Sequence, residues 1–389
     1  MKEIIEEVMK ELYEEREKRI QDAINLKVPD RVPVICKGVN WYFKKIPGIT
    51  AKDMVTNNEK YMKAMIKFML DIQSDAAWRP IPQDPLASVV VEPTPMVFPT
   101  EEDETCEPKI ISKETMKVED YNYIIKYGYI SLLMKYLPEL RPGIPNPQKK
   151  LLDKLGLSTK PEEQPLQFRK NVEMLKKVGF PTYFLFELLS PFNCLTLLRT
   201  YPKICLDLKR HPDLVKQAID KMIPEMLLLA LRLSKESNVP RICIGVHRES
   251  ATFFSPKIFD EVFFPEIKKM VEMCRKEGVK VILHCDGNWN PLLERLTELP
   301  KGTCVIQLDR DTDPFKAKEI LGGKQCIDAG PMELEMATWT PEEIENYCKK
   351  LIEEVGQDGG FILKSEISAE AKPENVRAFV NAAKTYGIY

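Results

Sequence analysis

The chain is poor in histidine, with three in 389 residues, and none of its ten cysteines stands in a CxxC pair. Scattered cysteines in a chain long enough to stand on its own core give no disulfide framework and read as reduced thiols of a cytoplasmic protein. No apolar run approaches the roughly 18 residues of a membrane span. Lys and Arg are spread along a chain of net charge −2 rather than gathered in a stripe, so the electrostatic footprint of phosphate-backbone binding is missing. Neither nucleic acid nor a membrane is expected as a partner. The opening MKEIIEEVMKELYEEREKRI alternates acidic and basic residues around Ile4, Ile5, Val8, Met9 and Leu12. That is an amphipathic helical extension rather than the basic-then-apolar layout of a signal peptide.

What is present is a rhythm. From about residue 180 a short apolar or β-branched run is followed by a polar break and an amphipathic helix, the βα repeat of a parallel α/β sheet or barrel. The predicted strands are Tyr183–Leu189, Arg241–Val246, Lys280–Leu283, Cys304–Leu308, Gln325–Ile327 and Gly360–Leu363. Upstream, Val32–Ile35, Asp75–Pro80 and Ser88–Val91 bring a (β/α)8 TIM-type barrel to its strand number, with one irregular strand. Ser255-Pro256, Thr340-Pro341 and His211-Pro212 each place a capping side chain before a proline at the first helical position. Residues 92–170 break the rhythm with Pro-rich, charge-rich sequence and one predicted helix near Glu119–Tyr136, and read as an insertion over the barrel mouth within a single domain.

Catalytic groups of parallel barrels sit where strands end. Here RICIGV runs into His247-Arg248-Glu249, KVIL into His284-Cys285-Asp286-Gly287-Asn288, CVIQL into Asp309, QCI into Asp328 and FIL into Lys364-Ser365-Glu366. Two of the three histidines therefore fall at strand ends, while His211 opens a helix. His284 and Asp286 stand two apart before a glycine, a spacing that suits a metal, a general acid-base pair or a hydrogen-bonded turn. By alternation the Cys285 thiol faces away from them. His247, His284 and Asp286 are the candidate catalytic residues. Arg248, Asn288, Asp309, Glu187 and Asp75 are the candidate substrate contacts, with helix capping the alternative for Glu187 and an arginine pair the alternative for Asp75.

The segments SPKIFDEVFFPEIKKMVE, VILHCDGNW, LPKGTCVIQLDRDTDPFKAKEILGGKQCI, TPEEIENYCKKLIEEVGQDGGFIL and AKPENVRAF resemble the uroporphyrinogen decarboxylase superfamily, closely over about residues 180–385 and loosely to the N-terminus. More narrowly they are similar to its corrinoid-dependent methyltransferase branch. The decarboxylase itself keeps arginines after the first strand to grip propionates, where this chain reads ICKGVNWYF. The resemblance implies zinc held by a His-x-Cys pair and a later cysteine. This chain has His284-x-Asp286, with Glu366 near the place of the last ligand, so the resemblance implies either a harder set of His284, Asp286 and Glu366 or a site without metal that works by hydrogen bonding. A set rich in oxygen ligands suits polarising an ether, alcohol or halide leaving group. The branch uses cobalamin, and no histidine here has an aspartate two residues before it to form the Asp-x-His-x-x-Gly cobalamin motif. The implied partner is a separate corrinoid protein, with a small methyl donor or acceptor; a homodimer and an anaerobic one-carbon setting are compatible. A lyase acting on a carboxylated substrate and a non-catalytic binding barrel stay open as alternatives.

Overall fold

The computed structural model describes residues 2–155 and 167–389. Eight short strands run parallel around one interior: β1 Val34–Lys37, β2 Ala76–Ala77, β3 Phe186–Leu189, β4 Arg241–Gly245, β5 Lys280–Cys285, β6 Cys304–Leu308, β7 Cys326–Ala329 and β8 Phe361–Glu366. Their order is β2-β1-β8-β7-β6-β5-β4-β3. The two edges meet where Ala77 bridges Thr182, with the Ala77 N–H donating to Pro181 at 2.9 Å and the Tyr183 N–H donating to Ala77 at 2.7 Å. The result is a TIM-like α/β barrel.

Side chains alternate as a pleated strand requires. Val281, Leu283 and Cys285 of β5 face the apolar layer under the helices, while Ile282 turns inward with Ile35, Cys243, Val305, Cys326 and Ile362. Cys285 thus points away from its neighbours His284 and Asp286, and burial pushes its thiol pKa far up. The first helix, α1 (Lys2–Ile24), adds Ile20, Ala23 and Ile24 to the inner cluster. Each of the two isoleucines contributes about 1.5–3 kcal/mol on full burial. The end of the barrel where strands begin is further tied to α1 by Glu17, which accepts two hydrogen bonds from Arg241 at 2.6 and 2.8 Å.

Three sequence expectations are corrected. Ser88–Val91 is no strand: residues Ala87–Val90 form a 3-10 turn, because the Asp84 carboxylate accepts from the Leu86 and Ala87 N–H groups and starts a helical turn. The helix near Glu119–Tyr136 is two helices, Asp120–Tyr127 and Tyr129–Leu140, broken at Gly128. There φ is +93°, and an added Cβ would lie 2.3 Å from the Glu225 carboxylate. Of the three expected caps, Thr340 forms a capping box, whereas Ser255 and His211 make no side-chain bond.

Residues 156–166 of the expected insertion lie outside the described residues. Its described part carries a short hairpin, Met96–Val97 with Lys109–Ile110, and is stapled down by buried polar contacts. Arg141 donates to the carbonyls of Pro85 and Thr94, both at 2.6 Å, and the Tyr121 hydroxyl donates to Asp207 at 2.8 Å. No helix among the described residues is long and apolar enough to cross a membrane.

Candidate active site at the barrel mouth

The sequence of β4 and β5 delivers two imidazoles to one point. In register, Gly245 of β4 lies beside His284 of β5. Gly245 leaves the room that the His247 ring takes two residues later, since a Cβ there would lie 2.5 Å from His247 Nε2. The rings of His247 and His284 meet edge to face with centroids 5.3 Å apart. Asp286 completes the group: its Oδ1 is 2.9 Å from His284 Nε2 and its Oδ2 is 3.7 Å from His247 Nδ1. One potential ligand atom from each of the three lies within 4.8 Å of the others.

The charges of this group are set by burial and by the group itself. Burial lowers the pKa of His247. Burial also pulls His284 down, but the hydrogen bond and charge of Asp286 outweigh it and the net shift is upward. Asp286, in turn, is held at about 2 by the two imidazoles, against the effect of burial. The Nε2 atom of His247 is buried without a hydrogen-bond partner. An orphaned imidazole nitrogen, a second imidazole and a carboxylate at this spacing suit Zn²⁺, which takes three such protein ligands and leaves a position open in catalytic sites.

Glu366 does not join this set, which corrects the expectation of His284, Asp286 and Glu366 as ligands. Its Oε1 accepts from Lys364 at 2.7 Å and its Oε2 from Lys37 at 2.6 Å. Against the effect of burial, those two ammonium groups hold its pKa well below the usual carboxylate range. Both oxygens are already committed to cations, and His247 stands where a third ligand is needed.

Two cavities open at the mouth. One, of about 360 Å³, is lined by His247, Asp286, Arg248, Asp309, Phe253 and Glu92, among others. The other, of about 380 Å³, is lined by Lys37, Arg79, Glu366, Trp41, Tyr61 and Trp78, among others. Ile110 of the hairpin borders the first and Thr105–Glu107 the second, so the segment after β2 forms part of both walls. Glu187 sits inside the barrel, 3.3 Å from Arg79. Its pKa is held down, against burial, by Arg79, Lys37 and the two histidines.

The expected substrate contacts divide. Arg248 lines the first cavity, its guanidinium 4.8 Å over the Phe253 ring. Asp309 lines it too, but its oxygens accept from the backbone N–H groups of Gly287 and Arg310, at 2.9 and 2.8 Å, and so shape the turn. Asn288 is corrected to a turn residue: its side-chain oxygen accepts from the N–H of Asn290 at 3.0 Å, and it lines neither cavity. Asp75 takes its alternative, an arginine pair, in place of a substrate contact. It precedes β2 at the opposite end of the barrel, 1% exposed, and accepts from Arg19, from both ends of the Arg31 fork and from the Val34 N–H. His211 is exposed.

Sequence reading missed Lys37 and Arg79, on the wall of the second cavity, and Tyr183 and Gln307, buried in the barrel interior behind the mouth. The inward parity of β6 contained Gln307, and a polar residue at an inward position in CVIQL is the signal that could have found it.

A buried acidic pair, Glu249 and Glu266, lies at the residues that follow β3 and β4. Glu249 accepts from Asn193 at 2.6 Å and from Ser190, and Glu266 accepts the Phe192 N–H at 3.0 Å while its other oxygen has no partner. Burial pushes both carboxyl groups upward, Glu249 to about 7, and the charge of Glu249 raises Glu266 further. A raised folded-state pKa gives stability that is complete below the ordinary carboxylate pKa and lost as pH rises through the folded-state value. Wild-type protein should therefore lose stability between about pH 4.3 and 7. Glu266→Gln should flatten that loss, because it removes a buried carboxyl group whose pKa is raised by burial and by the charge of Glu249. Urea unfolding at pH 5 and pH 8 reads the difference, and parallel losses in both proteins would exclude this pair as the cause.

A parallel barrel with an imidazole and carboxylate cluster at the C-terminal ends of its strands defines an enzyme-type barrel with its site at the mouth. The chain belongs to the uroporphyrinogen decarboxylase family, whose sequence profile matches residues 132–386. A comparison with curated protein sequences returned no significant match. Among solved structures, a methyltransferase from Methanosarcina mazei aligns over 95% of this chain and 98% of its own, with a TM-score of 0.68 and 17% identity. A B12-independent methionine synthase from a Shewanella species aligns over 56% of this chain and 64% of its own, with a TM-score of 0.38 and 12% identity. The zinc-bound IOLI protein aligns over 71% and 93%, with a TM-score of 0.35 and 12% identity.

Proposed function

We propose that this chain is a methyltransferase that moves a methyl or other one-carbon group between a small substrate and a corrinoid cofactor carried on a separate protein. The observation that carries the reading is the convergence of His247, His284 and Asp286, with ligand atoms within 4.8 Å of one another, at the mouth, where His247 and Asp286 line one cavity. Family membership and the shared fold of the Methanosarcina mazei methyltransferase support it.

His247, His284 and Asp286 would hold zinc, which supplies a Lewis acid for the heteroatom that carries the methyl group. The residues themselves would orient that heteroatom at the ends of β4 and β5. The Arg248 guanidinium, held over the Phe253 ring on the wall of the same cavity, would meet charge on the departing group. The segment after β2, which borders both cavities, is the proposed lid and docking surface for the corrinoid protein.

Family membership alone would also fit a decarboxylase of polycarboxylated tetrapyrroles. Among the described residues lining the two cavities, the cations are Lys37, Arg79 and Arg248. The first two already face Glu366 and Glu187, which leaves too few to match several carboxylates. The test is a spectrum: zinc-loaded protein mixed with cob(I)alamin and a panel of methyl ethers, alcohols and halides should convert the cobalamin to its methylated form. Carbon dioxide release from a carboxylated substrate, with no methylation across the panel, would replace this reading.

A further inference from the structure

We infer that Gln307 is a positioning residue that decides which nitrogen of His284 faces the mouth, with Asp328 and Tyr183 fixing the direction of its amide. The three central residues lie on neighbouring strands in one rung of the barrel, since His284 pairs in register with Gln307, and Gln307 with Asp328. The Tyr183 hydroxyl donates to Asp328 Oδ2 at 2.7 Å, and Gln307 Nε2 donates to the same oxygen at 2.9 Å. With its NH2 group committed to Asp328, the Gln307 amide has only its oxygen to present on the other side. That oxygen meets Nδ1 of His284. An amide oxygen only accepts, so Nδ1 must carry a proton, and Nε2 is the nitrogen turned toward Asp286.

Gln307 and Asp328 are both 0% exposed, so neither touches substrate. Their burial is costly: Asp328 Oδ1 has no partner, and an apolar pair of similar shape in this rung would be at least as stable. What the polar pair provides is direction. A ring held only by Asp286 can put its proton on Nε2, which removes the lone pair a metal needs at the mouth. A hydrogen-bond partner behind a metal-binding histidine commonly changes metal affinity about 10–100-fold when lost.

The inference deepens the zinc part of the proposed function, and its test has a metal-free arm that stands apart from that reading. Full-length protein labelled with 15N in its histidine rings gives resonances from only three residues, and His284→Gln identifies those of His284. In metal-free wild type the His284 Nδ1 should carry a slowly exchanging proton, and Gln307→Leu should lose it. In the second arm, zinc titration should show Gln307→Leu and Asp328→Leu weakened by about 10–100-fold. Asp328→Asn, whose amide oxygen can accept the same two bonds, should bind zinc as the wild type does. A merely structural role predicts the reverse pattern, with lowered unfolding temperature and unchanged zinc affinity. Folded Gln307→Leu that keeps both the Nδ1 proton and wild-type zinc affinity overturns the inference. If Gln307→Leu does not fold, the Asp328 pair decides. Wild type that retains the Nδ1 proton but binds no zinc would sink the metal reading and leave the positioning role standing.

Discussion

His284→Ala should lower the rate of cobalamin methylation by more than about a hundredfold, because one directed interaction with a charge that develops in the transition state is worth roughly 3 kcal/mol. The cause is local. His284 is the imidazole hydrogen-bonded to Asp286, at 2.9 Å, and the only other imidazole in the cluster stands 3.7 Å from that carboxylate. Without His284 the cluster keeps two potential ligands, which is too few for a catalytic zinc site. The barrel should persist, since the outward face of β5 buries Val281, Leu283 and Cys285 regardless. The same cob(I)alamin assay reads the effect, with thermal unfolding as the control for folding. Turnover within a few-fold of wild type would remove His284 from the mechanism.

Asp75→Ala should cost about 3–5 kcal/mol of stability while leaving the kinetics of the folded fraction unchanged. Asp75 is the common acceptor of two guanidiniums, Arg19 at 2.7 Å and Arg31 at 2.6 Å, and it also caps the Val34 N–H at 2.8 Å. Removing it takes away the carboxylate that Arg31 pairs with and one of the two that Arg19 pairs with, leaving Arg19, 7% exposed, on Asp30 alone. Urea unfolding gives the magnitude, and a substrate titration gives the contrast. A raised KM with unchanged stability would return Asp75 to the list of substrate contacts.

The two predictions separate what was legible in the sequence from what was not. Strand positions from residue 180 onward were legible because buried parallel strands read as short apolar runs between capped helices, and β6 falls on the predicted Cys304–Leu308. The convergence of His247, His284 and Asp286 followed from the same rhythm, as residues just past neighbouring strands share a mouth. The errors lie where partners come from distant sequence. Glu366 looked like a ligand until Lys37, 329 positions away in the chain, was placed beside it. Asp75 looked like a mouth residue because its strand, β2, has two residues, so a small error in its bounds moves a side chain from one end of the barrel to the other. The error at Asn288 is local instead: it points into its own turn, accepting the N–H two residues on, an Asx turn of the kind that a Gly-Asn pair signals, and the expectation of a substrate contact set that signal aside.

The central claim is that two imidazoles and one carboxylate, and not Glu366, make a metal centre at the mouth. Zinc reconstitution of metal-free protein tests it most directly. Wild type and Glu366→Gln should each take up one zinc per chain, and His247→Ala, His284→Ala and Asp286→Ala should each lose it. Undiminished zinc in the three cluster variants, or its loss only in Glu366→Gln, would contradict the account.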